Sequence, residues 1–243
     1  MANPVGTYFK KAMLRKWSNL VSLDDPFERM PRLLAGRRVT GILDAGASHG
    51  RISRKLLRGF PGAQLYAFEP NGLYTQTLRQ YAETEPRFHP YAVALSDEKG
   101  RACLNITASP GSTSLLTPGR QMHESFHEDA AVEDRREVEV TTIDDWAADN
   151  GHPAIQLMKF DIQGAELKAL RGADRMLRES VELIYIELWF NPGYEGGALY
   201  SEIDLFLRPY GFVLHDFYKP RYDVHGTIMW TNAIFLKPRR VTS

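Results

Sequence analysis

Four acidic side chains stand where a short apolar run ends or is interrupted, and such positions suit chemistry. Asp44 closes Ile42-Leu43-Asp44-Ala45, Glu69 closes Leu65-Tyr66-Ala67-Phe68, and Asp161 closes Leu157-Met158-Lys159-Phe160. Glu187 lies inside Leu183-Ile184-Tyr185-Ile186-Glu187-Leu188-Trp189-Phe190. Glu69 follows Asp44 by 25 residues, the separation at which nucleoside-binding sheets present an acid to ribose. A carboxylate there accepts two hydrogen bonds from a vicinal diol. Between the two acids runs Asp44-Ala45-Gly46-Ala47-Ser48-His49-Gly50. Gly46 lets a ligand approach the backbone, and Gly50 lets the next helix start tight against the sheet. Asp44 can accept turn amides or attract a cationic group. Ser48 breaks the dinucleotide pattern G-x-G-x-x-G, and two carboxylates suit an uncharged ribose better than a phosphate.

Further candidates follow along the chain. Pro70 comes directly after Glu69, and Ala94-Leu95-Ser96-Asp97 is either a platform for adenine or a plain turn leading into Glu98-Lys99-Gly100. Asp161 can place the amino-acid portion of a cofactor, take a proton or bind a cation; the competing account is a helix cap. Glu166 falls in a first helical turn, where the dipole favours an acid. Glu187 needs a partner, because an unpaired buried carboxylate is costly or holds its proton; Lys159 and Arg171 are the structural options. His215, in Gly211-Phe212-Val213-Leu214-His215-Asp216, is a base candidate or a structural histidine. Trp189, Phe190 and Tyr194 either stack on an acceptor or belong to the core.

The elements that must carry these groups alternate. Strands are expected at 39–45, 63–69, 88–95, 155–161 and 183–190, then near 212–217 and 232–237. Helices are expected after 50, over 71–84 with Leu73, Leu78 and Tyr81 inward, over 164–179 and over 201–210. Pro90 weakens the start of the third strand. Such alternation implies a mostly parallel sheet with helices on both faces, whose ligands bind beyond the carboxyl ends of strands. Residues 101–107 and 136–142 alternate in polarity and read as an added strand pair. Between them, Ser109-Pro110-Gly111-Ser112-Thr113-Ser114-Leu115-Leu116 and a charged segment over 120–137, with His123 and His127, make a lid-like insertion near 108–137 or a plain surface loop. Residues 8–21 place Phe9, Met13, Trp17 and Leu20 at helical spacing opposite a basic face. They are either a packed edge helix or a peripheral membrane contact. The expected division is an amphipathic extension over 1–35 and a single α/β domain over 36–243.

Composition excludes several classes. Lys+Arg and Asp+Glu are both 30, a balance that argues against a dedicated nucleic-acid partner. The lone Cys103 permits no internal disulfide and no multi-cysteine zinc site, and it fits a reducing, cytoplasmic compartment. No apolar run approaches the roughly 18 residues of a membrane span, and lysines at 10, 11 and 16 with Arg15 interrupt any signal-peptide core.

Together these residues resemble the FkbM family of methyltransferases, within the class I S-adenosylmethionine-dependent superfamily. The resemblance runs from about residue 41 to 237. It is carried by Ile42-Leu43-Asp44-Ala45-Gly46-Ala47, Ala67-Phe68-Glu69-Pro70, Ala94-Leu95-Ser96-Asp97, Met158 through Glu166, and Ile186-Glu187. It implies a seven-stranded sheet of order 3-2-1-4-5-7-6 with strand seven antiparallel. S-adenosylmethionine would be held by Asp44, Gly46, Ala47, Ser48 and Gly50 at its methionine portion, by Glu69 and Pro70 at ribose, and by Ala94 and Leu95 at adenine. One departure stands out: the family usually carries Glu where this chain has Gln163. The expected activity is O-methylation of a small molecule, sugar or glycan. Asp161 is expected nearest the chemistry, with Glu187 and His215 as further base candidates. No metal site is predicted, although Asp161 and Glu187 sharing a divalent cation stays open. The rival readings are a catalytically silent nucleoside-binding module and a nicotinamide-dependent oxidoreductase.

Overall fold

The computed structural model describes residues 25–126 and 130–238. Seven strands form the main sheet: β1 (Gly41–Ala45), β2 (Gln64–Phe68), β3 (Phe88–Tyr91), β7 (Leu157–Phe160), β8 (Leu183–Trp189), β9 (Val213–Tyr222) and β10 (Ile228–Leu236). Their order is β3-β2-β1-β7-β8-β10-β9; counting only this sheet's strands, 3-2-1-4-5-7-6. All neighbours pair parallel except β10, which is antiparallel to both β8 and β9. The class I methyltransferase architecture expected from the resemblance is therefore present.

Side chains alternate across the pleat, so each central strand feeds two cores. From β1, Leu43 and Ala45 enter one cluster and Ile42 the other; from β8, Ile184, Ile186 and Leu188 oppose Leu183 and Tyr185. The first face is covered by α5 (Ile143–Asp149), α6 (Glu166–Arg171), α7 (Asp174–Glu179) and α8 (Tyr200–Leu207). The second is covered by α1 (Pro26–Leu33), α2 (Arg51–Gly59) and α3 (Thr75–Thr84). Both faces of the central strands are thus dry, which explains their near-continuous apolar sequences.

Several expectations are corrected. The strand expected over 88–95 is two: β3 stays at the sheet edge, where Pro90 is tolerated, while β4 (Ala94–Leu95) pairs with β6 (Val132–Thr141). With β5 (Gly100–Thr107) they form a second sheet of order β4-β6-β5. The helix expected over 164–179 breaks at Gly172, where a Cβ would stand 2.2 Å from the Ser96 carbonyl oxygen. The chain restarts as α7 because the Asp144 carboxylate accepts from the amides of Arg175 (2.8 Å) and Met176 (3.1 Å). Leu73 is 63% exposed, not inward, because residues 72–74 form a separate 3-10 turn.

Within 120–137 lie α4 (Arg120–Ser125) and the first half of β6. Residues 8–21 and His127 lie outside the described residues. Phe27 and Met30 of α1 belong to the core of the second face. Among the described residues no helix is long and apolar enough to cross a membrane.

Candidate active site

The carboxyl ends of β1, β2 and β7 meet at one edge of the sheet, where Ala45 pairs with both Phe68 and Phe160. The residues that follow these strands surround a cavity of about 270 Å3. Gly46, Ala47 and Ser48 line it from the β1 loop, Glu69 and Pro70 from β2, Ala94 and Leu95 from β4, and Asp161 from β7. Eight of the predicted positions thus share one space.

Glu69 is fixed by backbone. Its Oε2 accepts from the Ser48 amide at 2.7 Å and its Oε1 from the Asn71 amide at 2.9 Å. Ser48 takes a left-handed backbone, φ 50°, within this turn. Burial raises the proton affinity of Glu69, and the two amides and Lys159 oppose the rise. Each carboxylate oxygen still has acceptor capacity for a ligand hydroxyl.

Asp44 does not line the cavity. It is fully buried beneath it, accepts from Ser53 Oγ at 2.6 Å and pairs with Lys159 Nζ at 3.0 Å. Lys159 also donates to the carbonyls of Ala45 (3.0 Å) and Gly46 (2.7 Å), so this cation clamps the β1 loop from below. Burial alone would lower its proton affinity; the carboxylates of Asp44 and Asp161 outweigh that and keep it charged. Gly46 is needed for an internal reason: at φ 76°, a Cβ there would lie 2.0 Å from the Asp161 carbonyl oxygen. Gly50 likewise stays out of the cavity and starts α2 at φ 76°.

On the β7 side, Asp161 Oδ1 accepts from Gln163 Nε2 at 2.8 Å, and the same nitrogen lies 2.9 Å from Glu187 Oε2. Glu187 is therefore partnered by Gln163, not by ion pairing with Lys159 or Arg171. It is buried behind the cavity wall, and desolvation together with Asp161 and Glu166 pushes its proton affinity far up. Glu166 is also buried; it accepts from the Ile162 amide at 2.9 Å, and burial pushes its pKa up to about 7.

His215 is not brought to the cavity. It is exposed on β9, the outermost strand, and does not line the cavity. Partial burial and Arg29 lower its proton affinity. The stacking role for Trp189 and Tyr194 fails as well: both are buried with Met122 of α4, and Trp189 packs on Trp230. Phe190 packs on Tyr200 and Phe217.

Residues missed from the sequence include Leu104 and Tyr74. Of the insertion read near 108–137, the segment 110–115 is the part that lines the cavity, through Pro110, Thr113, Ser114 and Leu115. It is tied there by Ser114 Oγ donating to the Gln163 carbonyl (2.7 Å) and by the pairing of Pro118 with Tyr194. Among the described residues no group of three or more His, Cys, Asp or Glu side chains is arranged to hold a metal ion.

The model of the methyltransferase FkbM domain matches residues 44–214, which contain most of this site. The chain belongs to the FkbM methyltransferase family. It is 31% identical over 166 residues to the 2-O-methyltransferase NoeI of Sinorhizobium fredii (strain NBRC 101917 / NGR234), covering 64% of this chain and 65% of that protein, just under two thirds of its length. It is 26% identical over 193 residues to the methyltransferase sdnD of Sordaria araneosa, covering 70% of this chain and 73% of that one. A solved structure of a Burkholderia thailandensis 1,6-didemethyltoxoflavin-N1-methyltransferase covers 97% of this chain and 87% of its own, at 12% identity and a TM-score of 0.45. The methyl donor of this FkbM family is S-adenosylmethionine, and the residues present fit such a group: the cavity is lined by the nearly buried Glu69 carboxylate, by apolar Leu95 and Leu104, and by the Asp161 carboxylate.

Proposed function

We propose that the protein transfers a methyl group to a hydroxyl oxygen of a sugar, glycan or hydroxylated natural product. The observation that carries the reading is that Glu69 and Asp161 face one cavity from the tips of β2 and β7, the two strands that flank β1. The similarity to NoeI, a 2-O-methyltransferase, supports oxygen as the acceptor atom.

Glu69 would hold ribose, Ala94 and Leu95 adenine, and Gly46 to Ser48 the methionine portion. Bound there, S-adenosylmethionine supplies an electrophilic methyl group on a positively charged sulfur that leaves readily. The protein's own tasks are to orient the acceptor oxygen, exclude water and receive a proton. Asp161 is the acid placed to receive it, because Glu187 is buried behind the wall and His215 is on the far edge. Segment 110–115 excludes water from above, which is the role of the lid-like insertion.

The test is incubation with isotope-labelled S-adenosylmethionine and a panel of sugars, glycans and hydroxylated natural products, with products identified by mass spectrometry and NMR. A labelled methyl ether is expected, with Asp161→Asn lowering turnover by about 10²- to 10⁴-fold. A label on nitrogen or carbon, or unchanged turnover in Asp161→Asn, would overturn the acceptor or the base assignment respectively. Activity that is lost on exhaustive chelation and restored by a divalent cation would replace the base with a metal.

A further inference from the structure

Gln163 is the uncharged member of a group otherwise made of acids. Its Nε2 faces two carboxyl oxygens, Asp161 Oδ1 at 2.8 Å and Glu187 Oε2 at 2.9 Å, while its Oε1 lies 3.0 Å from the Tyr194 hydroxyl. This orientation is fixed by chemistry: the nitrogen meets acceptors and the oxygen meets a donor. An amide nitrogen carries two hydrogens and serves both carboxyl groups at once. A carboxyl in the same place offers at most one hydrogen and, when ionised, adds a third negative charge between two others.

The fold spends conformational strain to put the amide there. Gln163 has φ 57°, a left-handed backbone that non-glycine residues rarely take. Gly164 follows at φ 94°, and a Cβ there would lie 3.1 Å from Tyr194 Cβ, so the tyrosine occupies the space a side chain would need. Tyr194 is buried, and burial raises its proton affinity, so its hydroxyl remains a donor; its single hydrogen goes to Gln163 Oε1 or to the Ser112 carbonyl, both 3.0 Å away. Ser114 holds the Gln163 carbonyl from the covering segment.

We propose that Gln163 is a positioning residue whose carboxamide, oriented by Tyr194, keeps Asp161 and Glu187 as two separate acids instead of one proton-sharing pair, so that Asp161 alone answers to the acceptor. The last clause rests on the assignment of Asp161 made above; the separation of the two acids does not. The charged and titratable groups that act on Glu187 are Asp161 from the turn after β7, Glu166 from the start of α6, Lys159 from β7, Tyr185 from its own strand and Tyr194 from the loop after β8. Among them Gln163 is a donor that favours the ionised form, so its removal moves the Glu187 titration upward.

The test is a carboxyl 13C NMR titration of Glu187 in the full chain, for wild type, Q163E, Q163M and Y194F, with folding checked by amide spectra. The wild type is expected to titrate in a single step above the ordinary carboxylate range. In Q163E the step splits in two and its upper midpoint rises by about one pH unit or more. Q163M, which fills the space without a donor, leaves the two acids to share a proton, so its titration also departs from a single step, with an upper midpoint raised by less than in Q163E; Y194F moves it by less again. Should Q163E fail to fold, the Q163M and Y194F titrations decide. Midpoints equal to wild type in the folded variants overturn the proposal, whereas full turnover in Asp161→Asn sinks only the base assignment and leaves this titration standing.

Discussion

The two rims of the cavity are built differently. At the tips of β1 and β2, Glu69 is held by the amides of Ser48 and Asn71, and the loop is clamped by the buried pair Asp44–Lys159. At the tips of β7 and β8, Asp161 is held by a chain of side chains, through Gln163 to Glu187 and Tyr194, and on to a covering segment that joins from the insertion. The first rim is specified largely by backbone groups, the second largely by side chains. On the function proposed above, the first would hold the methyl donor and the second would meet the acceptor.

The comparison breaks first at Lys159. Lys159→Met leaves the Asp44 carboxylate buried without its cation, and a loss of about 3–5 kcal/mol in urea unfolding is expected. A loss under about 1 kcal/mol would mean that the pair does not hold the first rim. On the second rim, Glu166 carries a pKa raised from 4.5 to about 7 by burial. A carboxyl raised in this way stabilises the fold fully below its unfolded value, and that contribution is lost as pH rises through about 7. Stability should thus fall from pH 5 to pH 8 by on the order of 3 kcal/mol from this group, Glu187 adding in the same direction. Glu166→Gln should flatten the profile, and a profile equally steep in the variant would remove Glu166 as its source.

Glu69→Gln sets an amide nitrogen against one of two backbone N–H groups and removes the charge that grips a diol. Calorimetry with S-adenosylhomocysteine should show about 10- to 100-fold weaker binding, corresponding to about 1.5–3 kcal/mol for hydrogen bonds to a charged group. The smallest effect belongs to His215→Ala, far from both rims, with stability and cofactor affinity within about 0.5 kcal/mol of wild type. A large loss of affinity there would show that the β9 edge reaches the site by a route absent from this fold.

The same contrast explains what was legible in the sequence. Asp44, Gly46 and Glu69 announce themselves because a strand, a tight turn and a second strand are local patterns; alternation gives a mostly parallel sheet, and its strand order came only with the family resemblance. Their roles were less legible than their importance. Asp44 looks like a ligand contact but is a buried partner of Lys159, and Gly46 yields to the Asp161 carbonyl more than to a ligand. Tyr194 and Ser112 were out of reach, since they meet across 82 residues of chain and neither carries a periodic or spacing signal. Gln163 was visible only as a departure from a pattern; its two acceptors lie on different strand ends and appear only when the sheet is assembled. For His215 the sequence left a base and a structural role open, and only the strand order puts it on β9 at the sheet's edge.

The most direct test is a crystal structure with S-adenosylhomocysteine bound. The account predicts both ribose hydroxyls on the Glu69 carboxylate, adenine against Ala94 and Leu95, and the sulfur on the side of the cavity that Asp161 faces. Ribose held elsewhere, or sulfur turned away from Asp161 with the wall of β7 between them, would contradict it.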